Sequence, residues 1–327
     1  MTLSEARGAA RFAPTPTGRL HVGNARTALL SWLWGRRLGL RNVLRVEDLD
    51  PAAIPPGILE GQYADLQWLG LRWDEGPLEG GPWGPYRQSL RLETYAAPLR
   101  ALDALGLLYP CWCSRREVAQ ATRAPHAGDE GPVYPGTCRP ERPRSFGDLD
   151  AVPARAGRLP AWRIDVQGAL AYLGITTLVI DDAVAGRVTF DPVSALGDFV
   201  VRRSDGVAAY QTACAWDDAE MRCTHVLRGD DLLPSAARQS LLLRCWGRTL
   251  PTYAHVGLVV GSQGERLAKR DGAVAIETER LAGGSAGPLR RQLARSCGLP
   301  DSEDLDVLTE ALVVGPNLAQ PAPWVGR

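Results

Sequence analysis

At 327 residues, 45% hydrophobic and 23% charged, the chain has the length and balance of about two globular domains. No apolar run reaches the roughly 18 residues a membrane span needs, and the opening MTLSEARGAARF has no apolar h-region, so neither a spanning helix nor a secretory leader is expected. The formal net charge of zero advertises no overall basic field for nucleic acid, and seven cysteines, an odd number, favour thiols or metal ligands in a reducing cytoplasm over a disulfide framework.

The elements read as α/β. ARFAP is a short apolar strand, and PTPTGRL is a turn rich in Pro, Thr and Gly. A helix pattern runs from about His21 to Leu38, with Leu29, Leu30, Leu33 and Trp34 on one face and Gly39 at its stop. NVLRVED is a second strand, followed by a helix over Ile58–Leu69 and another over Leu90–Leu105. Strand–helix alternation of this kind predicts a parallel sheet with crossover helices. Residues 111–161 are rich in Arg, Pro and Gly and look like an inserted segment. Regular structure returns with AWRIDV, TTLVID and DFVVRRSDGVAAY, in which Asp205-Gly206 signals a hairpin turn. THVLRGDD is a strand that feeds a helix over Pro234–Trp246; a last clear helix covers about Pro288–Ser296. The expected organisation is a catalytic half over 1–110, the insert over 111–161, a second half over 162–250 and a short helical region over 251–327.

Three places carry chemistry. In PTPTGRLHVGNAR a strand ends, a turn follows and His21 opens a helix, whose free N–H groups and partial positive charge suit phosphate. Gly23 would leave room for a flat base or ribose; an ordinary turn with a capping histidine fits the spacing equally well. Cys111 and Cys113 form a Cys-x-Cys pair, with Tyr134 and Cys138 beyond a long loop. A zinc clip would suit a loop so poor in core residues, although the spacing alone fits free cysteines as well. His126, a better intrinsic zinc ligand than tyrosine, is the rival for a fourth position. Finally, ERLAKRDGA holds Lys269, the only lysine in the chain; the other 36 of its 37 basic residues are arginines.

These segments together resemble the glutamyl-tRNA synthetase family of class I aminoacyl-tRNA synthetases. HVGN after PTPTGRL resembles the family's HIGH signature, and RLAKR, residues 266–270, its KMSKS signature. LRVEDLD, LGLRWDEGP, YRQS and DFVVRRSDGVAAYQTACAWDDAEMRCTHVLRGDD match in order along most of residues 11–272. The resemblance implies a Rossmann-type catalytic domain and a two-step reaction: glutamate attacks the α-phosphate of ATP, with Mg2+, and the glutamyl-adenylate then acylates a tRNA hydroxyl. It implies ATP contacts from His21, Gly23, Asn24, Arg266 and Lys269, with His21 and Lys269 catalytic. It implies a glutamate pocket of Arg11, Ala13, Thr15, Glu47, Tyr210 and Arg228, with the two arginines on the side-chain carboxylate and Glu47 on the ammonium. It also implies a structural zinc held by Cys111, Cys113, Tyr134 and Cys138.

The 54 residues after position 273 are few for an anticodon-reading domain, which needs over about a hundred. The chain therefore resembles the family's stand-alone cores, which attach glutamate to the queuosine base of tRNA(Asp); they imply a cytoplasmic, monomeric enzyme without membrane partners. An enzyme charging a tRNA 3′ end, a small-molecule nucleotidyltransferase and a non-catalytic zinc-bearing RNA-binding module are the alternatives. Asp217 and Asp218 are expected to organise the pocket. Cys214, Cys223, Cys245 and Cys297 are expected in the core, His225 and His255 in structural roles, and Arg36 and Arg37 on a solvated face.

Arg266 keeps the charge of the first KMSKS lysine, whereas Ala268 lacks the serine hydroxyl. A compact ammonium on a flexible stem fits one crowded phosphate better than a planar guanidinium, which gives the lone lysine its reason. Lys269→Ala is expected to slow adenylate formation by roughly 10²–10³-fold, the usual loss for one transition-state donor. An unchanged rate removes Lys269 from the mechanism.

Overall fold

The computed structural model describes residues 8–121, 133–261 and 275–324. Its strands are β1 (Ala9–Phe12), β2 (Arg41–Leu44), β3 (Leu108–Cys111), β4 (Ala161–Ile164), β5 (Leu178–Asp182), β6 (Gly186–Phe190), β7 (Val200–Arg202), β8 (Cys223–Gly229), β9 (Thr252–Val256), β10 (Val259–Val260) and β11 (Ala322–Pro323). The helices are α1 (Val22–Arg37), α2 (Ile58–Trp68), α3 (Ala96–Ala104), α4 (Arg115–Ala121), α5 (Val166–Leu173), α6 (Pro192–Ala195), α7 (Tyr210–Glu220), α8 (Leu233–Cys245), α9 (Ile276–Leu281), α10 (Gly287–Ser296) and α11 (Leu305–Ala311).

Six strands form the main sheet in the order β2-β1-β8-β9-β5-β6. The first five run parallel, and β6 closes the edge as an antiparallel partner of β5. β1 and β8 are central strands covered on both faces. β1 accordingly reads as an unbroken buried run rather than an alternating one. α1 lies across them and is buried on most of its circumference, from Val22 to Gly35. It packs so closely that a Cβ on Gly35 would lie 2.0 Å from Asn42 Oδ1 and 2.9 Å from the Ala10 Cβ. α10 and α11 cover its far side and share its core through Leu289, Leu293 and Leu308.

A second, antiparallel sheet, β3-β4-β7, has its own core around the fully buried Trp162. α8 contributes Ala237, Leu241 and Leu242 to that core, joining the two sheets. The strands of this small sheet come from both sides of residues 111–161, so the inserted segment hangs from β3 and β4.

The sequence reading and the structure differ in specific places. The helix expected over Leu90–Leu105 is α-helical only from Ala96; two 3-10 turns, Gln88–Leu90 and Leu92–Tyr95, precede it. Pro98 explains the late start, because its ring tolerates only the first turn of an α-helix. β2 ends at Leu44, and NVLRVED leaves the ladder there: Val46 bridges to Arg87, and the Glu47 amide donates to Pro14 O at 3.1 Å. The Asp205-Gly206 turn is present, with Gly206 at φ 89°, and Arg202 pairs with Ala208 across it. The strand stops before Tyr210, which opens α7.

Candidate active site

The parallel sheet dictates where a site forms. Arg11 lies at the carboxyl end of β1, Glu47 just past β2, Arg228 at the end of β8, His255 near the end of β9 and Asp182 at the end of β5. All five are buried, and carboxyl ends of parallel strands are where such sheets hold ligands.

His21 is the N-cap of α1. Its Nδ1 accepts from the Gly23 amide at 3.1 Å, and Asn24 Oδ1 accepts from the His21 amide at 3.3 Å, which closes a capping box. With Nδ1 accepting, a neutral ring carries its proton on Nε2. A Cβ at Gly23 would lie 3.0 Å from the His21 ring, so the missing side chain makes room for the imidazole itself. The chain flanking residues 262–274 returns to the same spot. Ala275 bridges to His21, the Ile276 amide donates to Leu20 O at 3.0 Å, and Val259 lies beside Gly23. Arg26 of α1 donates from Nη1 to Gly257 O at 2.8 Å, tying the approach to that segment onto the helix. Arg266, Lys269 and His126 lie outside the described residues.

The charged cluster under the strand ends centres on Asp218 of α7. Arg11 donates to it from Nε at 3.1 Å and from Nη2 at 3.4 Å, and Arg45 donates from Nη1 at 2.6 Å. Arg45 Nη2 in turn reaches Glu47 Oε1 at 3.0 Å. Burial pushes the Asp218 carboxyl up, but Arg11 and Arg45 outweigh it and hold it below the ordinary carboxylate value. Burial likewise opposes charge on Arg11 and Arg45, and Asp218 outweighs it in both, so their pKa values rise. The neighbouring Asp217 holds Arg91 Nε at 2.7 Å, Gln88 Nε2 at 3.0 Å and the Tyr95 hydroxyl at 2.8 Å, pinning the 88–95 turns to α7.

Arg228 has a different environment. Its Nε donates to His255 Nε2 at 3.1 Å and its Nη1 to Gln239 Oε1 at 3.0 Å. His255 Nδ1 lies 2.6 Å from Asp182 Oδ2. The buried Arg228 Nη2 has no hydrogen-bond partner among the described residues. Asp218 and Glu47 engage Arg11 and Arg45, whereas Arg228 meets His255 and Gln239 and keeps Nη2 without a partner among the described residues. Tyr210 stands among them: burial raises its pKa, Cys214 and Glu47 add to the rise, and Arg228 and Arg11 oppose it.

Thr15, Glu47 and Tyr210 line one end of a cleft of about 1120 Å³. The cleft runs to Cys113 and Tyr134 on the other sheet, passing Arg163, Arg203 and Arg238. Ala13 is half-buried at the end of β1 beside Thr15. At the far end the sulfurs of Cys111, Cys113 and Cys138 lie within 4.8 Å of one another. The Tyr134 hydroxyl sits 3.4 Å from Cys111 Sγ and 3.6 Å from Cys113 Sγ. Three sulfurs and one oxygen converging this closely fit the donor set of a closed tetrahedral zinc site. Cys214, Cys223, Cys245 and Cys297 are buried, as expected of core residues, and all seven cysteines are free.

A profile of tRNA synthetases class I (E and Q), catalytic domain, matches residues 9–308. The chain belongs to that family. It is an ATP-dependent ligase of the class I synthetases, which removes the nucleotidyltransferase and the non-catalytic RNA-binding module from consideration. The chain is 49% identical to the glutamyl-Q tRNA(Asp) synthetase of Symbiobacterium thermophilum, over 90% of this chain and 88% of that one. It is 41% identical to glutamate–tRNA ligase 2 of Alkalilimnicola ehrlichii, over 87% of this chain but 57% of that one. The crystal structure of glutamate-tRNA synthetase from Elizabethkingia anophelis superposes with a TM-score of 0.78 at 25% identity, covering 98% of this chain and 68% of that one. Among the described residues, no helix of this synthetase is long and apolar enough to cross a membrane.

The structure thus gathers Arg11, Glu47, Tyr210 and Arg228 in one cluster, with His21, Gly23 and Asn24 at the tip of α1 and the three cysteines with Tyr134 apart from both. Sequence reading did not single out Arg45, Gln239 or Asp182, which the structure places in contact with this cluster, and it expected a structural role for His255, which lies between Asp182 and Arg228. Arg45 had a signal: it stands two residues before Glu47 in LRVEDLD. Asp182 had none, because its partner is 73 residues away.

Asp218 is the counter-charge of two buried guanidiniums, and removing one member of such a set leaves uncompensated charge in the interior. Asp218→Ala should lower the unfolding free energy by about 3–5 kcal/mol in denaturant titration. A loss under about 1 kcal/mol, the range of an exposed ion pair, contradicts this reading.

Proposed function

We propose that the protein activates L-glutamate with ATP, without help from tRNA, and transfers it to the queuosine base in the anticodon loop of tRNA(Asp), acting as a monomer in the cytoplasm. The observation that carries the amino-acid half is the buried, unpartnered Nη2 of Arg228 beside Glu47 and Tyr210. A buried guanidinium with a donor to spare suits an acidic side chain, which accepts a charge-assisted hydrogen bond, better than the neutral amide of glutamine. Glu47, held by Arg45, takes the substrate ammonium. Arg11, already engaged by Asp218, adds positive field rather than a free fork. Ala13, Thr15 and Tyr210 border the substrate.

In the first step an α-carboxylate oxygen of glutamate attacks the α-phosphorus, the bond to the bridging oxygen breaks, and pyrophosphate leaves with its electron pair. His21 and the amino end of α1, with Gly23 and Asn24 shaping that end, position the phosphates. Arg266 and Lys269 would close on them from the segment whose two flanks are tied beside His21. Mg2+, bound with ATP, supplies charge neutralisation to the triphosphate. In the second step a queuosine hydroxyl attacks the acyl carbon, the acyl–phosphate bond breaks, and AMP leaves as the hydroxyl proton is lost. Zinc would be held by Cys111, Cys113, Cys138 and Tyr134. Its role there would be structural, clipping the insert to β3.

The acceptor half rests on relatives. Those named glutamyl-Q tRNA(Asp) synthetase are matched over 87–93% of their length, whereas the ligases are matched over little more than half. Charging of a tRNA 3′ end is the second reading, and similarity to the ligases favours it. Labelled glutamate, ATP and Mg2+ with three tRNAs decides between them. We expect label on tRNA(Asp) carrying queuosine and none on tRNA(Asp) lacking it or on tRNA(Glu). Label on tRNA(Glu) overturns the first reading.

The metal assignment is checked by metal analysis of purified variants. The wild type should hold about one zinc per chain, Tyr134→Phe should lose most of it and His126→Ala should keep it. The reverse pattern gives the fourth position to His126.

A further inference from the structure

The parallel register brings three strand ends together. Arg228 of β8 is the Cα partner of His255 of β9, and Asp182 of β5 is the partner of Tyr253, two residues before that histidine. Asp182, His255 and Arg228 are all buried. The two oxygens of Asp182 do different things. Oδ1 accepts from three backbone amides, Val184 at 2.9 Å, Ala185 at 2.8 Å and His255 at 3.1 Å. Oδ2 accepts from His255 Nδ1 at 2.6 Å.

An ionised carboxylate only accepts, so the imidazole proton must sit on Nδ1, and the Nε2 lone pair is left to take the Nε–H of Arg228 at 3.1 Å. The Leu232 carbonyl favours a protonated ring, but a protonated or reversed ring would set its Nε2–H against the Nε–H of Arg228. Burial lowers the pKa of His255, which keeps the ring neutral, and the amide and imidazole bonds hold Asp182 ionised, down to about 2 against the cost of burial. With Nε taken by His255 and Nη1 by Gln239, the guanidinium has one orientation and one donor, Nη2, left over.

We propose that Asp182 and His255 are positioning residues for amino-acid recognition: the carboxylate fixes the imidazole tautomer, and the imidazole fixes Arg228 so that Nη2 is kept for the substrate's side-chain carboxylate. The inference rests on the reading of Arg228 as the group that takes that carboxylate. It makes a sharp statement about Asp182→Asn, which barely changes shape. The three amides on Oδ1 hold the amide oxygen of the asparagine there, so its NH2 falls in the place of Oδ2 and points at Nδ1. The ring must then carry its proton on Nε2, where it meets Arg228 Nε–H.

The test is ATP–pyrophosphate exchange with KM measured separately for glutamate and for ATP, alongside thermal melts. His255→Leu and Asp182→Asn should raise the glutamate KM by roughly 10–100-fold, the worth of a hydrogen bond to a charged group, with the ATP KM changed less than about twofold. His255→Gln, whose side-chain oxygen can accept from Arg228, should recover most of the loss. If His255→Leu does not fold, Asp182→Asn and His255→Gln decide the matter. Glutamate KM values unchanged in Asp182→Asn, or equal rises for both substrates, overturn the relay while a fully active wild type leaves the reading of the pocket standing. A wild type without glutamate-dependent exchange overturns both.

Discussion

The carboxylate of Asp218, wedged between the guanidiniums of Arg11 and Arg45, is the constraint on which the rest of the site depends. Neither arginine would remain buried at the floor of the sheet without it, since isolated charge in the interior is far too costly. Through Arg45 it also sets Glu47, which has left the β2 ladder and needs a partner to be held in place. One α7 side chain therefore ties the ends of β1 and β2 to the helix that begins with Tyr210. The cluster is strongly polar yet almost closed, and Arg228 Nη2 has no hydrogen-bond partner among the described residues.

That spare donor connects architecture to chemistry. A parallel sheet gathers strand ends, and here five strands each contribute a buried polar residue to one small region. Two parts of the proposed site are then built differently. At the amino-acid end the groups are locked by ion pairs inside the sheet. At the proposed nucleotide end the tip of α1 meets the flanks of residues 262–274, which are tied to His21, Leu20 and Arg26 rather than to the cluster. A rigid pocket beside separately anchored flanks suits the proposed division between amino-acid recognition and phosphate binding.

Much of this was legible in the residues. The strand–turn–helix around His21 is local, and a capping histidine could be read there because capping is decided within one turn; the Asn24 half of the capping box and the clearance that Gly23 gives the imidazole are findings of the structure. The strand ending in Arg228 and the helix after it were also visible as an apolar run feeding a Pro-led helix. What could not be read was long-range. Tyr210 lay in what looked like a continuing strand, and only packing of α7 against α8 makes it a helix start. The bonds of His255 could not be read, since its partners stand 27 and 73 residues away and no spacing announces a register between parallel strands. The two arginines read as equal members of a clamp were unequal for the same reason: nothing in the sequence shows that Asp218 engages Arg11 and leaves Arg228.

The account turns on the claim that Arg228 keeps a buried donor free for the substrate and that an acidic side chain completes it. Equilibrium binding of L-glutamate and L-glutamine to the wild type and to Arg228→Gln measures this directly. The account predicts that the wild type prefers glutamate by at least about tenfold and that the variant loses this preference while still binding ATP. A wild type that binds both amino acids alike, or a variant that keeps the full preference, contradicts it.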